Sequence, residues 1–264
     1  MIPYFGGKSY LAPWIIAHFP ENYEHLTYCE IFGGGGWVLF KKSPSELEIY
    51  NDLNSDLVNL FKVIRDQFEA FHYRAEWTLH SRAMFEEAKE KLAHTELLSE
   101  IERALHYAVI RTQSFSGTGS TWAYIASPPH LYSGKWLPFL KKLELINARL
   151  KRVQIECLDF EKVIRKYDSK NTLFYLDPPY MEREYYYRTK EVDFKKEDHV
   201  RLSNLLKHIK GKFVLSYYEH PWVRKTYNKF HIIRKVMPKF SARITQKTYL
   251  KNKPTGTELL IMNY

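Results

Sequence analysis

Apolar residues in this chain gather into short runs, each closed by a polar or glycine-rich turn, and the runs alternate with stretches of helical spacing. Residues 27–31, 46–50, 153–157, 172–176, 212–216, 232–236 and 258–262 are rich in apolar, β-branched and aromatic side chains and read as strands. An apolar helix start follows at 37–40, and helical spacing appears at Leu57, Leu60, Phe61 and Ile64. It returns at Leu105, Ala108 and Val109 behind a Ser99–Glu102 capping box, then over 137–150, 160–165 and 200–209, the last stopped by Gly211. Strands alternating with helices predict an α/β fold: a largely parallel sheet covered on both faces, with ligands at the strands' carboxyl ends. The strand signal lapses for about ninety residues after the second strand. This predicts an insertion at 63–150 within a domain built from 1–62 and 151–264. Inside the insertion, 113–136 is a Ser/Thr/Gly/Pro loop carrying Trp122, Tyr124 and Tyr132, and so long a loop in a compact domain is usually functional.

The run 172–176 ends in Asp177-Pro178-Pro179-Tyr180. Each proline locks φ, lacks an N–H and pushes its predecessor into an extended conformation. The turn therefore offers a carboxylate, a carbonyl and an aromatic face on one stiff frame. Both oxygens can accept from an exocyclic NH2 while the ring of a planar ligand stacks on the tyrosine. Taken alone, the tetrapeptide also fits a proline-stiffened turn without chemistry. Upstream, the first strand runs into Gly33-Gly34-Gly35-Gly36, and the second ends at Asn51-Asp52. Strand, glycine run, helix and then an acid at the next strand end is a nucleotide-binding layout. The run is not GxGxxG, however, and a tight turn accounts for it as well. Asp52 suits a ribose contact, a turn or a helix N-cap.

A hydrophobic content of 45% and a charged content of 27% are globular values. No apolar run approaches the roughly 18 residues of a membrane span, and the N-terminus does not read as a signal peptide. Cys29 and Cys157 lie in apolar stretches, as reduced thiols in a cytoplasmic protein would, and no spacing predicts a metal site. The net charge of +10 is unevenly placed: residues 181–253 hold 19 Lys/Arg against 7 Asp/Glu. From 223 to 253 there are ten basic residues and no acidic one, with Tyr227, Phe230, Phe240 and Tyr249 among them. Cations interleaved with aromatics suit a polyanion whose bases can stack, or else a solvated basic face over core aromatics. Tyr185-Tyr186-Tyr187 reads equally as a substrate-side loop or as structural.

The motifs Tyr4-Phe5-Gly6-Gly7-Lys8, Glu30-Ile31-Phe32 with its four glycines, Asn51-Asp52-Leu53-Asn54, Asp177-Pro178-Pro179-Tyr180 and Glu258-Leu259-Leu260-Ile261 occur in this order. In this the chain resembles the Dam-like adenine-specific DNA methyltransferases. The resemblance spans nearly everything outside the insertion. It implies a Rossmann-like three-layer sandwich with the insertion as target-recognition domain. It also implies methyl transfer from S-adenosylmethionine to the N6 amine of adenine in double-stranded DNA, with base flipping, by a metal-free monomer. Carried over by position, Tyr4 and Lys8 contact the cofactor, with Lys8 near its methionine carboxylate. Phe32, Gly33, Gly34 and Gly35 pass close to the methionine part, Asp52 holds the ribose, and Asp159 and Phe160 frame the adenine. Asp177, with Pro178 and Pro179, lies between cofactor and target base, on which Tyr180 stacks. Three positions depart from the family's habit: Tyr4 for Trp, Ile31 for Pro, and the bulky Trp37. Alternatives are an N4-cytosine enzyme, disfavoured by Asp rather than Ser at the turn, an RNA base methyltransferase, and a non-catalytic DNA-binding module on the same fold.

Overall fold

The computed structural model describes residues 7–123, 135–182, 184, 192–238 and 255–264. Tyr4, Tyr124, Tyr132, Tyr185–Tyr187, Phe240 and Tyr249 lie outside them. Among the described residues seven strands form one sheet: β1 Thr27–Glu30, β2 Leu47–Asn51, β3 Val153–Glu156, β4 Thr172–Leu176, β5 Lys212–Tyr218, β6 His231–Pro238 and β7 Thr255–Met262. Their order is β3-β2-β1-β4-β5-β7-β6. The first five run parallel, and β7 inserts antiparallel between β5 and β6. Register places Cys29 of β1 between Ile49 and Phe174, so the middle of the sheet is covered on both sides. All five residues of β4 are buried, as a central parallel strand requires.

Eleven α-helices are described: α1 Ala12–Ile16, α2 Trp37–Lys41, α3 Ser55–Asp66, α4 Phe68–Glu76, α5 Arg82–Leu92, α6 Glu100–Gln113, α7 Trp136–Leu140, α8 Leu143–Leu150, α9 Phe160–Tyr167, α10 Lys196–Leu206 and α11 Pro221–Thr226. Alternate strand residues feed two apolar cores. Tyr28, Tyr50, Tyr175, Val214 and Leu260 face α1, α2 and α3, whereas Cys29, Ile49, Phe174, Leu215 and Ile261 face α9, α10 and α11. The result is the three-layer, mostly parallel α/β architecture that the alternation predicts.

The helices of residues 63–150 join the first core through Phe71, Ala104, Trp136 and Ile146. Where this segment leaves and returns, Asn147 of α8 donates to the carbonyls of Ile64 (2.6 Å) and Arg65 (3.2 Å). Arg149 pairs with the buried Glu48 of β2, which also accepts from Lys42. Two local expectations change. The helix predicted at 200–209 is α10, four residues earlier, because its first turn is polar: the Asp198 carboxylate accepts from the Lys195 N–H (2.8 Å). Gly211 therefore stops no helix. It sits where a Cβ would lie 2.8 Å from the Thr172 carbonyl and 2.9 Å from that of Ser169.

Candidate active site

β1 has β2 on one side and β4 on the other, so the connections diverge there and leave a crevice at the carboxyl ends of the strands. The loop after β1 fills one side of it. Gly34 and Gly36 adopt φ +48° and +66°, and a Cβ on Gly33 would sit 2.1 Å from the Tyr50 ring. Glycine is thus required for conformation at two positions and for close approach at a third. The Tyr50 hydroxyl donates to the Gly34 carbonyl (2.7 Å), and the Asp52 carboxylate accepts from the N–H groups of Gly34 and Asn54, both 2.8 Å. Burial pushes the Asp52 pKa up, and those backbone donors oppose the shift. The cap of α3 is Asn54, accepting from Leu57 N–H (3.0 Å), so the N-cap alternative for Asp52 is filled by its neighbour.

Asn51 is the hinge pin of this end. Its Nδ2 donates to the carbonyls of Ile31 (2.9 Å) and Leu158 (3.0 Å), while its Oδ1 accepts from the Leu158 N–H (2.9 Å). One buried amide thereby ties together the segments that follow β1, β2 and β3. Asp159 begins α9, accepting from the Glu161 N–H (3.0 Å), and holds Arg201 at 2.7 Å. The Arg201 guanidinium lies 4.3 Å from the Phe160 ring centre. Phe32, Phe160 and Phe194 form an aromatic cluster with centroids 5.6 to 5.9 Å apart.

Across the crevice, Asp177 leaves β4 beside Lys8, whose ammonium is 2.8 Å from one Asp177 oxygen and 3.7 Å from Glu258 of β7. Tyr180 donates its hydroxyl to Glu258 and is 5% exposed. Its ring sits under the Lys8 ammonium (4.7 Å) and against Tyr218 (4.5 Å). Burial raises the Asp177 pKa against the pull of Lys8, and it carries Glu258 to about 7 and Glu30 to about 8. Glu30 accepts from the Tyr28 hydroxyl (2.7 Å) and the Leu39 N–H (2.8 Å).

A single cavity of about 290 Å³ joins these parts. Lys8, Phe32, Gly33, Gly34, Gly35 and Asp52 line one stretch of it, and Asp159, Phe160, Asp177 and Pro179 line the rest. Pro178 and Tyr180 stand beside the lined wall, and Tyr4 lies outside the described residues. Sequence reasoning did not single out Glu30, Asn51, Phe194, Arg201 or Glu258 for a role here. The signal for the two acids was a lone charge in an apolar strand, Glu30 at the end of β1 and Glu258 within β7; Phe194 and Arg201 carried none. Among the described residues, no group of His, Cys, Asp and Glu could hold a metal ion, and no helix is long and apolar enough to cross a membrane.

This sheet order, with a glycine loop and an acidic turn on adjacent central strands, is that of a Rossmann-like methyltransferase. The chain belongs to the D12 class N6 adenine-specific DNA methyltransferases, whose sequence model matches residues 4–237. It is 28% identical over 275 residues to the Type II methyltransferase M1.LlaDCHI of Lactococcus lactis subsp. cremoris, an alignment covering 98% of this chain and 93% of that one. The protein is accordingly an enzyme of adenine methylation in DNA, as its motif order implies.

Proposed function

We propose that the protein takes its methyl group from S-adenosylmethionine and delivers it to an adenine flipped out of duplex DNA, with Asp177-Pro178-Pro179-Tyr180 as the catalytic turn. The observation that carries this reading is the single cavity into which both the glycine loop of β1 and the Asp177 turn of β4 open. The donor set suits the cofactor. Gly33–Gly35 give bare backbone, Asp52 offers a carboxylate beside it, and Phe32, Phe160 and Phe194 supply flat apolar surfaces for a purine. Bound there, S-adenosylmethionine would supply an electrophilic methyl group on a sulfonium.

The protein's own part is to make a poor nucleophile act. The adenine amine lone pair is delocalised into the ring. Hydrogen bonds from its two N–H groups to the Asp177 carboxylate and the Pro178 carbonyl favour a tetrahedral nitrogen and stabilise its developing positive charge. The two prolines hold those acceptors in place, so alignment requires little reorganisation. Tyr180 replaces the stacking that the base loses on leaving the duplex. Residues 63–150 read the target in this account, supported by the exposure of Tyr73, Trp77, Leu79 and Phe115. The buried, reduced thiol of Cys29 suits the cytoplasm.

Purified protein and tritiated S-adenosylmethionine should label duplex DNA, and digestion to nucleosides should return N6-methyladenine. Asp177→Ala should retain the wild-type far-UV spectrum and cofactor affinity yet lose about 10²- to 10³-fold or more in turnover. Wild-type turnover in that variant would sink the assignment of the turn.

A further inference from the structure

β7 is apolar along the half that lies at the centre of the sheet, except for Glu258. That carboxylate is 1% exposed, and a buried carboxylate persists only where partners compensate its lost hydration. Its partners are Tyr180, whose hydroxyl donates to it, and Lys8, 3.7 Å away. Both also flank Asp177: Lys8 is 2.8 Å from its carboxylate, and Tyr180 is three residues along the same turn. We infer that Glu258 is a positioning residue for methyl transfer, holding the Tyr180 ring and sharing the Lys8 ammonium with Asp177. The inference rests on the catalytic reading of the Asp177 turn.

The charges explain why sharing matters. Lys8 stands between two carboxylates, nearer Asp177. With Glu258 ionised, the ammonium divides its field, and Asp177 keeps more of its strength as an acceptor for the target amine. With Glu258 protonated, more of the Lys8 field falls on Asp177 and weakens that acceptor. The Tyr180 hydroxyl also loses an ionised partner, and charge-assisted hydrogen bonds are the stronger kind. The other groups facing Glu258 are the Tyr175 hydroxyl on β4, the Ser216 hydroxyl on β5 and its cross-strand neighbours, Tyr218 on β5 and Lys235 on β6. The Lys235 ammonium lies 5.2 Å from the Trp14 ring centre. Burial, which outweighs the pull of Lys8, places the ionisation near pH 7.

The test is Glu258→Gln, which keeps an acceptor for Tyr180 but removes the charge. Initial rates on a duplex bearing the site found methylated should be followed from pH 5.5 to 9, with cofactor affinity by calorimetry. Wild type should gain kcat as pH rises through about 7. Glu258→Gln should lose about 10- to 100-fold in kcat, the size of a misplaced or depolarised group, keep its cofactor affinity, and lose that limb of the profile. Tyr180→Phe, which removes the hydroxyl alone, should lower kcat, and combining it with Glu258→Gln should cost less than the product of the two losses. It also serves if the Gln variant fails to fold, since unchanged kcat in Tyr180→Phe would then overturn the proposal. An unchanged kcat and pH profile in Glu258→Gln, with Asp177→Ala inactive, overturns the role of Glu258 alone. An active Asp177→Ala overturns the turn itself.

Discussion

Glu30 and Glu258 have carboxyl groups whose pKa values burial lifts to about 8 and about 7. The sign of their effect on stability follows. Between the ordinary carboxylate range and those values, the folded protein binds protons that the unfolded chain has released, so stability falls as pH rises. The loss begins near pH 4.5 and is complete once pH passes the folded pKa. A pKa displaced by one pH unit corresponds to about 1.4 kcal/mol, so Glu30 contributes a slope of a few kcal/mol in all. Urea midpoints of Glu30→Gln, measured from pH 5.5 to 9, should decline less than those of wild type, because the amide keeps an acceptor for Tyr28 and Leu39 without titrating. Parallel declines would show that Glu30 ionises normally. Neither acid stood out in the sequence, although each is the lone charge of an apolar run. Alternation along a strand gives the face a side chain takes but not the partner it meets. Asp177 was legible because the prolines after it marked a turn, and Asp52 because it ends the strand that follows the glycine run.

At the scale of elements, strands were legible because they are short, buried and bounded by turns. The direction of β7 was not, since an apolar run reads the same in either sense. α4 and α5 were also not foreseen; each buries only two side chains, Phe71 with Ala75 and Phe85 with Ala88, too few to mark a period. Gly211 was legible as punctuation but misread as a helix stop. Its place at the start of β5, against two backbone oxygens, predicts that Gly211→Ala displaces β5 from β4. A loss of about 1–3 kcal/mol in urea unfolding is expected for such overpacking. An unchanged midpoint would mean that the backbone gives way freely. Similarly, Asn51→Ala leaves the Leu158 N–H and two carbonyls without their partner, and should cost about 1–3 kcal/mol. It should also weaken cofactor binding in calorimetry, since the three segments it joins line one cavity.

For the whole molecule, the charge asymmetry predicts how affinity and specificity separate. Arg224 is already paired with Glu219 at 2.7 Å, so the exposed Lys225 and Lys229 carry more of the free charge at that end. Replacing both, with Lys239, by Ala should weaken cognate and scrambled duplexes alike. The slope of log affinity against log salt should fall by about 0.9 for each phosphate that is no longer neutralised. Replacing 113–136 should instead erase discrimination between sites while non-specific binding survives, as expected if base edges are read there. If site preference survived that replacement, recognition would lie elsewhere, with 185–196 the next segment to exchange. The run of helices between β2 and β3 was legible as a gap in the strand pattern. The mingling of insertion helices with the first core was not, because sequence spacing does not report which face of the sheet a helix covers.

The bonds from Asn147 to the carbonyls of Ile64 and Arg65 have a consequence for how such an enzyme can change its target. The chain departs from the sheet and comes back to it at points one side chain apart. A foreign segment therefore needs two adjacent ends and an apolar underside that replaces what Phe71, Ala104, Trp136 and Ile146 give the first core. The glycine loop and the Asp177 turn lie outside that span, so with residues 63–150 as the proposed reader of the target, a new specificity can arrive by exchanging one contiguous stretch of coding sequence.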